Sequence, residues 1–206
     1  MMNQYQEIIS RRNITRLCHF TRSSNLPYIL GEGITEENGI ISHQKVRQVN
    51  YLKVLDESRY DGYADYVCCS VQKINRKLLV YRKNHDELTY FPDWVVIYVD
   101  PGIISDTSLF CPVNAATGKG RYVSRGSEAF ENLFADELRI KNRVIYRKKG
   151  LADNIPTDIQ AEVLIKDRIP KESIQAISFP TRSLANEKQR LSYWYEGSIP
   201  IVQWEE

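Results

Sequence analysis

A glutamine and a glutamate two residues apart begin an apolar run, in Gln160-Ala161-Glu162 followed by Val163-Leu164-Ile165. Side chains two apart on a β-strand point to the same face, so Gln160 and Glu162 are predicted to project together from one sheet edge. An amide beside a carboxylate can bind sugar hydroxyls, and the carboxylate can also stabilise a developing positive charge or accept a proton. An ordinary strand start with solvated polar residues has the same pattern, so the pair alone leaves both interpretations open.

Positive charge is concentrated in two stretches, although the net charge of the chain is only +2. The first, residues 72–83, holds Lys73, Arg76, Lys77, Arg82 and Lys83 with Tyr81, and the second, residues 139–149, holds Arg139, Lys141, Arg143, Arg147, Lys148 and Lys149 with Tyr146. Cations interleaved with aromatic side chains are typical of surfaces that bind single-stranded nucleic acid through phosphate contacts and base stacking. A solvated basic face is the alternative interpretation of the same stretches.

The elements that must position these residues are short. Apolar runs predict strands at residues 14–20, 66–71, 78–81, 94–99, 162–165 and 174–179, and the aromatic tail is a candidate for a last strand. Helices are expected after residues 23–25, over residues 44–58, and after a cap at Ser127. Residues 110–117 and 155–158 are expected to be loops. Many short strands with few short helices indicate the α+β class.

The length of 206 residues predicts one domain spanning the whole chain, residues 1–206, with its core at about residues 14–180. No apolar run approaches the ~18 residues that span a bilayer, and residues 1–12 lack the apolar centre of a signal peptide. A cytoplasmic protein without membrane association is therefore expected. The four cysteines have no C-x-x-C or zinc-like spacing, so reduced thiols and no metal are expected. No glycine-rich phosphate-binding motif is present either.

Five parts of the chain carry a family resemblance, in this order: Leu17-Cys-His-Phe-Thr21 with Asn25-Leu-Pro-Tyr-Ile-Leu30; Arg59-Tyr-Asp-Gly62 before Asp65-Tyr-Val-Cys-Cys-Ser70; Trp94-Val-Val-Ile97; Phe110-Cys-Pro-Val-Asn-Ala-Ala116; and Pro156-Thr-Asp-Ile-Gln-Ala-Glu-Val-Leu-Ile165. In their shared order they resemble the DarT family of nucleic-acid ADP-ribosyltransferases, a toxin-type domain related to poly-ADP-ribose polymerases. The resemblance implies a compact ADP-ribosyltransferase-like split β-sandwich with short flanking helices. It also implies that NAD donates ADP-ribose and that nicotinamide leaves.

Residue roles follow from the resemblance only where positions match. Glu162 would be the catalytic glutamate, and His19 would hold the adenosine-side ribose of NAD. Thr21 and Asn25 would line the same pocket, and Ser70 would support the nicotinamide ribose.

The resemblance also implies an arginine near the pyrophosphate, a role that suits this side chain because its fork binds phosphate oxygens bidentately. Arg47 and Arg59 are both candidates, with Arg47 favoured for a catalytic role and Arg59 for a structural one. Gln160 is expected on the cofactor side. The basic residues that precede the loop leading to Glu162 are expected to contact the acceptor, namely Arg147, Lys148 and Lys149.

The chemistry supports this assignment independently. Breaking the nicotinamide–ribose bond builds oxocarbenium character on the sugar, and a carboxylate against the ring and the 2′-hydroxyl stabilises that charge. The same carboxylate can accept the proton of the attacking base.

The sequence departs from the best-known DNA-modifying members after Ser70, where residues 72–77 replace a proline-rich loop. The acceptor is therefore left open between single-stranded DNA and RNA. A non-catalytic nucleic-acid-binding module on the same scaffold and a protein ADP-ribosyltransferase are the alternatives. A toxin or anti-phage effector of this type implies a cognate antitoxin as a partner.

Overall fold

The computed structural model describes residues 3–31, 38–46, 59–84 and 94–203. Its helices are α1 (Gln4–Arg11), α2 (Leu26–Leu30), α3 (His43–Val46), α4 (Arg76–Asn84), α5 (Ser127–Asn132) and α6 (Thr181–Ser192). Its strands are β1 (Leu17–Arg22), β2 (Ile40–Ile41), β3 (Tyr66–Val71), β4 (Trp94–Val99), β5 (Leu109–Cys111), β6 (Ser124–Arg125), β7 (Glu137–Ile140), β8 (Arg143–Tyr146), β9 (Glu162–Lys166), β10 (Arg168–Ile169), β11 (Ile174–Phe179) and β12 (Ile201–Gln203).

Eight of the strands form one sheet in the order β12-β11-β4-β1-β3-β9-β5-β6. Strands β11 and β12 are parallel, and the other neighbouring strands of this sheet are antiparallel. Strands β7 and β8 form a separate hairpin, and β2 pairs with β10. Short helices flank this sheet. The α+β class predicted from the sequence is confirmed.

The large sheet opens between β1 and β3. Strand β1 pairs with β4 along its whole length, but with β3 only at Leu17–Val71 and Cys18–Ser70. Beyond Cys18 a side chain bridges the two strands, because Nδ1 of His19 lies 3.0 Å from the carbonyl oxygen of Cys68. The divergence of the two strands leaves a cavity at this opening.

Both faces of the sheet are covered by apolar side chains, since successive residues of a strand alternate between faces. One face packs against the apolar sides of α1, α2, α5 and α6 in a single large cluster. The other face carries two smaller clusters. One lies under the β7–β8 hairpin and includes Cys111, and the other lies under α4 and includes Cys18.

A row of laterally paired residues connects these two clusters. The register runs from Cys111 through Glu162, Ser70 and Cys18 to Tyr98, each residue opposite the next on the adjacent strand. The polar pair Glu162 and Ser70 therefore lies between two apolar regions of one sheet face, next to the opening of β1 from β3.

Several predicted elements are confirmed and one is wrong. Strands at residues 66–71, 94–99 and 174–179 have the predicted bounds, the strand at 162–165 extends to Lys166, and the tail contains β12. Residues 78–81 belong to helix α4 and do not form a strand. Asn75 begins this helix, since its Oδ1 accepts from the amide of Leu78 at 3.1 Å. A short apolar run is compatible with either structure.

Other element boundaries also differ from the prediction. Strand β1 begins at Leu17, and the expected loop at 110–117 starts as part of β5. Gly126, not Ser127, is the N-cap of α5, because the hydroxyl of Ser127 donates instead to Gln4 Oε1 at 2.7 Å. Helix α3 covers the start of the expected helix at 44–58, and residues 47–58 lie outside the described residues.

Candidate active site

The carboxylate of Glu162 is held by two donors from one neighbouring loop. Nδ2 of Asn114 donates to Oε1 at 3.0 Å, and the backbone amide of Ala115 donates to Oε2 at 2.8 Å. Glu162 is only 6% exposed. A buried carboxylate with one donor on each oxygen has a fixed orientation, so the group is pre-positioned for whatever binds beside it.

Local turn geometry places that loop. It follows β5, the strand next to β9, and Asn114 closes a turn because its Oδ1 accepts from the amide of Ala116 at 3.1 Å. Gly120, further along, has a φ of +80°, and a Cβ there would clash with the carbonyl oxygen of Asp61. The loop therefore depends on a glycine to pack closely against the segment that carries Arg59 and Asp61.

The environment of Glu162 raises its pKa. Burial is the largest cause, and it raises the pKa from 4.5 to about 7, although the amide of Ala115, the charge of Arg59 and the side chain of Asn114 act in the opposite direction. A carboxylate with a pKa near neutrality can exchange a proton with a reacting group at physiological pH.

Arg59 forms a buried ion pair beside this carboxylate. Its Nη2 lies 2.7 Å from Oδ2 of Asp61, and its Nε also contacts the Asp61 carboxylate. Nη1 donates to the carbonyl oxygen of Tyr66 at 3.0 Å, and Nη2 lies 3.3 Å from Sγ of Cys68. These contacts within the protein fix the side chain of Arg59 at the edge of the cavity that it helps to line.

The opening between β1 and β3 contains a cavity of about 460 Å³. Glu162, Ser70 and His19 all line it, together with Arg59 and Asn114. The structure thus brings together residues that are up to 143 positions apart in sequence (162 − 19). A cavity of this size is typical of small-molecule sites, which measure roughly 300–1,000 Å³.

His19 is suited to bind a hydroxyl group in this cavity. Burial lowers the pKa of His19, so its ring is neutral at pH 7. The carbonyl oxygen of Cys68 can only accept, so Nδ1 carries the ring proton and Nε2 is left as an acceptor. Ser70 is buried in the same cavity, where its Oγ accepts from the amide of Asn75 at 3.2 Å.

Thr21 and Asn25 are placed beside the cavity but do not line it. Nδ2 of Asn25 donates to Oγ1 of Thr21 at 2.9 Å, and both side chains are buried. Thr21 is two residues beyond His19 on β1, so the two side chains share a face of the strand. The polar pair of Thr21 and Asn25 therefore lies between His19 and the start of α2.

Gln160 is not on the strand with Glu162, and the predicted side-by-side projection is wrong. Strand β9 begins at Glu162, and Gln160 lies in the preceding turn, where its amide donates to Oδ1 of Asp158 at 2.9 Å. The backbone carbonyl oxygen of Asp158 also accepts from the amide of Ala161. The chain is therefore in a turn up to Ala161, and the strand begins only at Glu162. Arg47 lies outside the described residues.

Arg147 braces a loop and is not an exposed cation. Its Nη1 donates to the carbonyl oxygen of Ile155 at 2.8 Å and to Oγ1 of Thr157 at 3.3 Å, and its Nη2 donates to the carbonyl oxygen of Ala152 at 2.8 Å. Lys148 and Lys149 are exposed at the beginning of the same loop. Of the three expected acceptor contacts, only the two lysines present their charge to solvent.

Two residues that the structure places at the site had no role assigned from the sequence. Asn114 holds the carboxylate of Glu162, and Asp61 pairs with Arg59. Asn114 belongs to the segment Phe110–Ala116 that carries the family resemblance, and Asp61 to Arg59–Gly62. Residues 114 and 162 are brought together by the pairing of β5 with β9, which no local pattern reveals.

The described residues contain no group of three or more histidine, cysteine or acidic side chains placed to hold a metal ion. None of the helices in the described part of the chain combines the length and hydrophobicity that a membrane span requires. The four cysteines are free thiols.

Solved structures of DarT proteins have the same fold as this chain. Thermus sp. 2.9 DarT in complex with ADP-ribosylated ssDNA has a TM-score of 0.59 and 15% identity, covering 94% of this chain and 95% of that one. The same protein in complex with NAD+ has a TM-score of 0.56 and 16% identity, covering 92% and 94%. Thermosipho africanus DarTG in complex with ADP-ribose has a TM-score of 0.57 and 19% identity, covering 92% of this chain but only 50% of that one. At these identities the likeness establishes the fold.

The sequence match is more specific than the structural one. The profile of the family described as "ssDNA thymidine ADP-ribosyltransferase, DarT" matches residues 18–193. No curated protein matches the chain significantly. The fold and this match together define an ADP-ribosyltransferase. The chain belongs to the DarT family, and the resemblance found in the sequence is confirmed.

Proposed function

We propose that this protein transfers ADP-ribose from NAD to a base of single-stranded DNA, with thymidine, the nucleoside named for the family, as the acceptor. The observation that carries the proposal is the carboxylate of Glu162, buried at the opening between β1 and β3 and held by Asn114 and Ala115. A binding module would gain nothing from a carboxylate whose burial opposes its ionisation. Catalysis does gain, because the charge is placed before the reaction begins.

The reaction breaks the bond between nicotinamide and C1 of its ribose and forms a bond from that carbon to a ring nitrogen of the base. Nicotinamide leaves with the electron pair of the broken bond. The ionised carboxylate of Glu162 stabilises the positive charge that develops on the sugar and accepts the proton that the base nitrogen loses. The products are nicotinamide, the ADP-ribosylated base and a proton.

The cavity residues fit the donor. His19 offers Nε2 as an acceptor for a ribose hydroxyl. Ser70 is paired with Glu162 on the adjacent strand, where the second ribose would lie. Thr21 and Asn25 extend the site beyond His19. Since the contacts of Arg59 lie within the protein, Arg47 is the arginine that we assign to the pyrophosphate.

The decisive experiment is mass spectrometry of DNA and RNA oligonucleotide pools after incubation with NAD. Thymidine-containing DNA should gain one ADP-ribose, and thymidine-free DNA and RNA should not. Glu162→Gln should remove the product, whereas the exposed Glu172→Gln, a matched loss of one carboxylate, should not. Product formation by Glu162→Gln within about tenfold of wild type, only ~1.4 kcal/mol of barrier, would exclude the catalytic role. If only RNA or only protein is modified, the proposed acceptor, single-stranded DNA, is wrong.

We extend the proposal to toxicity and a cognate antitoxin. Modified bases in single-stranded DNA obstruct copying, so the active protein should inhibit growth of a bacterial host and Glu162→Gln should not. The Thermosipho africanus relative is a DarTG chain of which this protein spans half, so a second component accompanies the matched part there. Co-expression of genes adjacent to the one encoding this chain tests for a protein that restores growth.

A further inference from the structure

A second cavity lies next to the Glu162 cavity and is lined by positive charge. It measures about 530 Å³ and shares Cys18 with the first cavity. Its charged lining consists of four cations, Arg16, Lys73, Arg76 and Lys77, and none of its described lining residues carries a carboxylate. We call it the cationic cleft. Converging cations in one cleft favour the binding of an anion.

The floor of the cationic cleft is apolar and aromatic. It lies over the cluster that contains Cys18 and Tyr98, and the guanidinium of Arg16 lies 4.4 Å from the centre of the Tyr98 ring. The carbonyl oxygen of Gln72 accepts Nε of Arg16 at 3.2 Å, which fixes the guanidinium plane. A planar cation fixed on an aromatic ring is a surface on which a nucleobase stacks.

The rim of the cationic cleft carries positive charges that can contact phosphates. Lys73, Arg76 and Lys77 are all exposed, in the turn after β3 and the first turn of α4. Side chains of this length reach the phosphates on either side of a base that lies on the floor. A base platform surrounded by lysine and arginine is the composition that binds single-stranded nucleic acid.

The position of the cleft connects it to the reaction. Tyr98 and Glu162 belong to the same cross-strand row, separated by three strand spacings, or about 14 Å at ~4.8 Å per spacing. Ile159, from the segment directly before Glu162, forms part of the wall. The cleft lies towards the start of β1, whereas His19 and Thr21 lie towards its end, so a donor that reaches His19 extends away from it.

We propose that the cationic cleft binds a nucleotide of the acceptor strand that flanks the modified one, with its base on Arg16 and its phosphates at Lys73, Arg76 and Lys77. This inference rests on the proposed function for the identity of the ligand. It gives a role to residues 72–77, the segment at which the sequence departs from its best-known relatives. The cleft thereby positions the strand while Glu162 acts on the neighbouring base.

The test is the affinity of a fluorescent single-stranded oligothymidylate for the double variant Lys73→Glu with Lys77→Glu, measured by anisotropy across a salt series. Glutamate is well tolerated in the first turn of a helix, so Lys77→Glu does not threaten α4. The matched control is Arg182→Glu with Lys188→Glu, two exposed residues of α6, which packs on the opposite face of the sheet. Each double variant changes the net charge by the same amount.

The cleft variant should bind the oligonucleotide at least tenfold more weakly than wild type. Its plot of log affinity against log salt should flatten by about 1.4, or roughly 0.7 for each lost phosphate contact. The control should differ little from wild type, and NAD affinity by calorimetry should be unchanged in both. Equal losses in the two variants, or a loss of NAD affinity in the cleft variant, would overturn the proposal.

These readouts separate this inference from the proposed function. Binding is measured without NAD, so it does not depend on transfer. If wild type modifies no DNA but the cleft variant alone loses oligonucleotide binding, the cleft proposal holds and the catalytic one fails. If wild type modifies DNA and the cleft variant binds and reacts like wild type, the catalytic proposal holds and the cleft proposal fails.

Discussion

The side chain that holds the candidate catalytic carboxylate is a residue of interest in itself. Asn114 donates to Oε1 of Glu162 while its own Oδ1 is fixed by the amide of Ala116. It lines the cavity and donates to the carboxylate of Glu162, through which it would act, so we regard it as a positioning residue. A hydrogen bond to an ionised group typically contributes about 1.5–3 kcal/mol.

Asn114→Ala should lower transfer at pH 7 by roughly tenfold or more, since a lost charge-assisted hydrogen bond costs at least ~1.5 kcal/mol. Because Asn114 lowers the pKa of Glu162, its removal should also move the rise of activity with pH to higher pH. A pH–rate profile at saturating NAD measures both effects. Asn114→Asp, which adds a like charge, should move the rise further upward. A reduced rate with an unshifted profile would mean that Asn114 supports only the loop.

His19 gives a second prediction at this scale. Its Nε2 acceptor would bind a ribose hydroxyl equally in the ground state and in the transition state, so His19→Ala should raise the apparent constant for NAD by about tenfold with little change in turnover. Steady-state kinetics against NAD, with a melting curve to verify folding, is the measurement. An unchanged NAD constant in a folded variant would make His19 only a bridge to the carbonyl of Cys68.

At the scale of elements, the site depends on loops that the sheet holds in place. The loop after β5 carries the donors for Glu162, and the segment 148–161 leads from the β7–β8 hairpin into β9. Arg147 closes the second of these through three contacts, two of them to backbone carbonyl oxygens. A guanidinium with these partners stabilises the loop and contributes little to the affinity for phosphate.

Arg147→Ala should therefore expose the loop without changing the salt dependence of DNA binding. We expect faster hydrogen exchange at residues 148–157 and a loss of about 1–3 kcal/mol in the free energy of unfolding, the usual cost of buried acceptors left unpaired. Lys148→Ala with Lys149→Ala should leave the loop protected, and any flattening of the salt slope should appear in this variant alone. Equal protection in Arg147→Ala and wild type would show that the contacts are dispensable.

Elements could be predicted where the local pattern decides them. The strands at 66–71, 94–99 and 174–179 are short, mainly apolar segments and were predicted with correct bounds. Residues 78–81 are equally apolar, but the cap at Asn75 commits them to a helix. The β7–β8 hairpin was missed because its charged residues resemble a solvated basic stretch. Glu162 stands out in the sequence at the start of an apolar run, whereas its contact with Asn114 depends on the pairing of the distant strands β5 and β9.

At the scale of the whole molecule, burial of the ionised Glu162 carboxylate lowers the free energy of unfolding. Glu162 has a pKa of about 7 when folded, against an ordinary value of 4.5 that applies to the unfolded chain. Between these values the folded state retains a proton that the unfolded state has released, so the contribution of Glu162 to stability falls as the pH rises. Above pH 7 the destabilisation is complete, and at about 1.4 kcal/mol per pH unit it reaches roughly 3.5 kcal/mol.

Glu162→Gln should therefore gain stability relative to wild type as the pH rises, because glutamine does not titrate. The difference in the free energy of unfolding should be constant below pH 4.5, increase in favour of the variant between pH 4.5 and 7, and level off above pH 7. Glutamine places one N–H where the carboxylate accepted from Asn114 or Ala115, which offsets the whole stability curve of the variant without altering its slope. Urea unfolding at intervals from pH 4 to 8 measures the curve, with Glu172→Gln as a flat control. Parallel curves for wild type and Glu162→Gln would show that the carboxylate ionises without cost, and the argument that burial prepares this group for catalysis would fail with it.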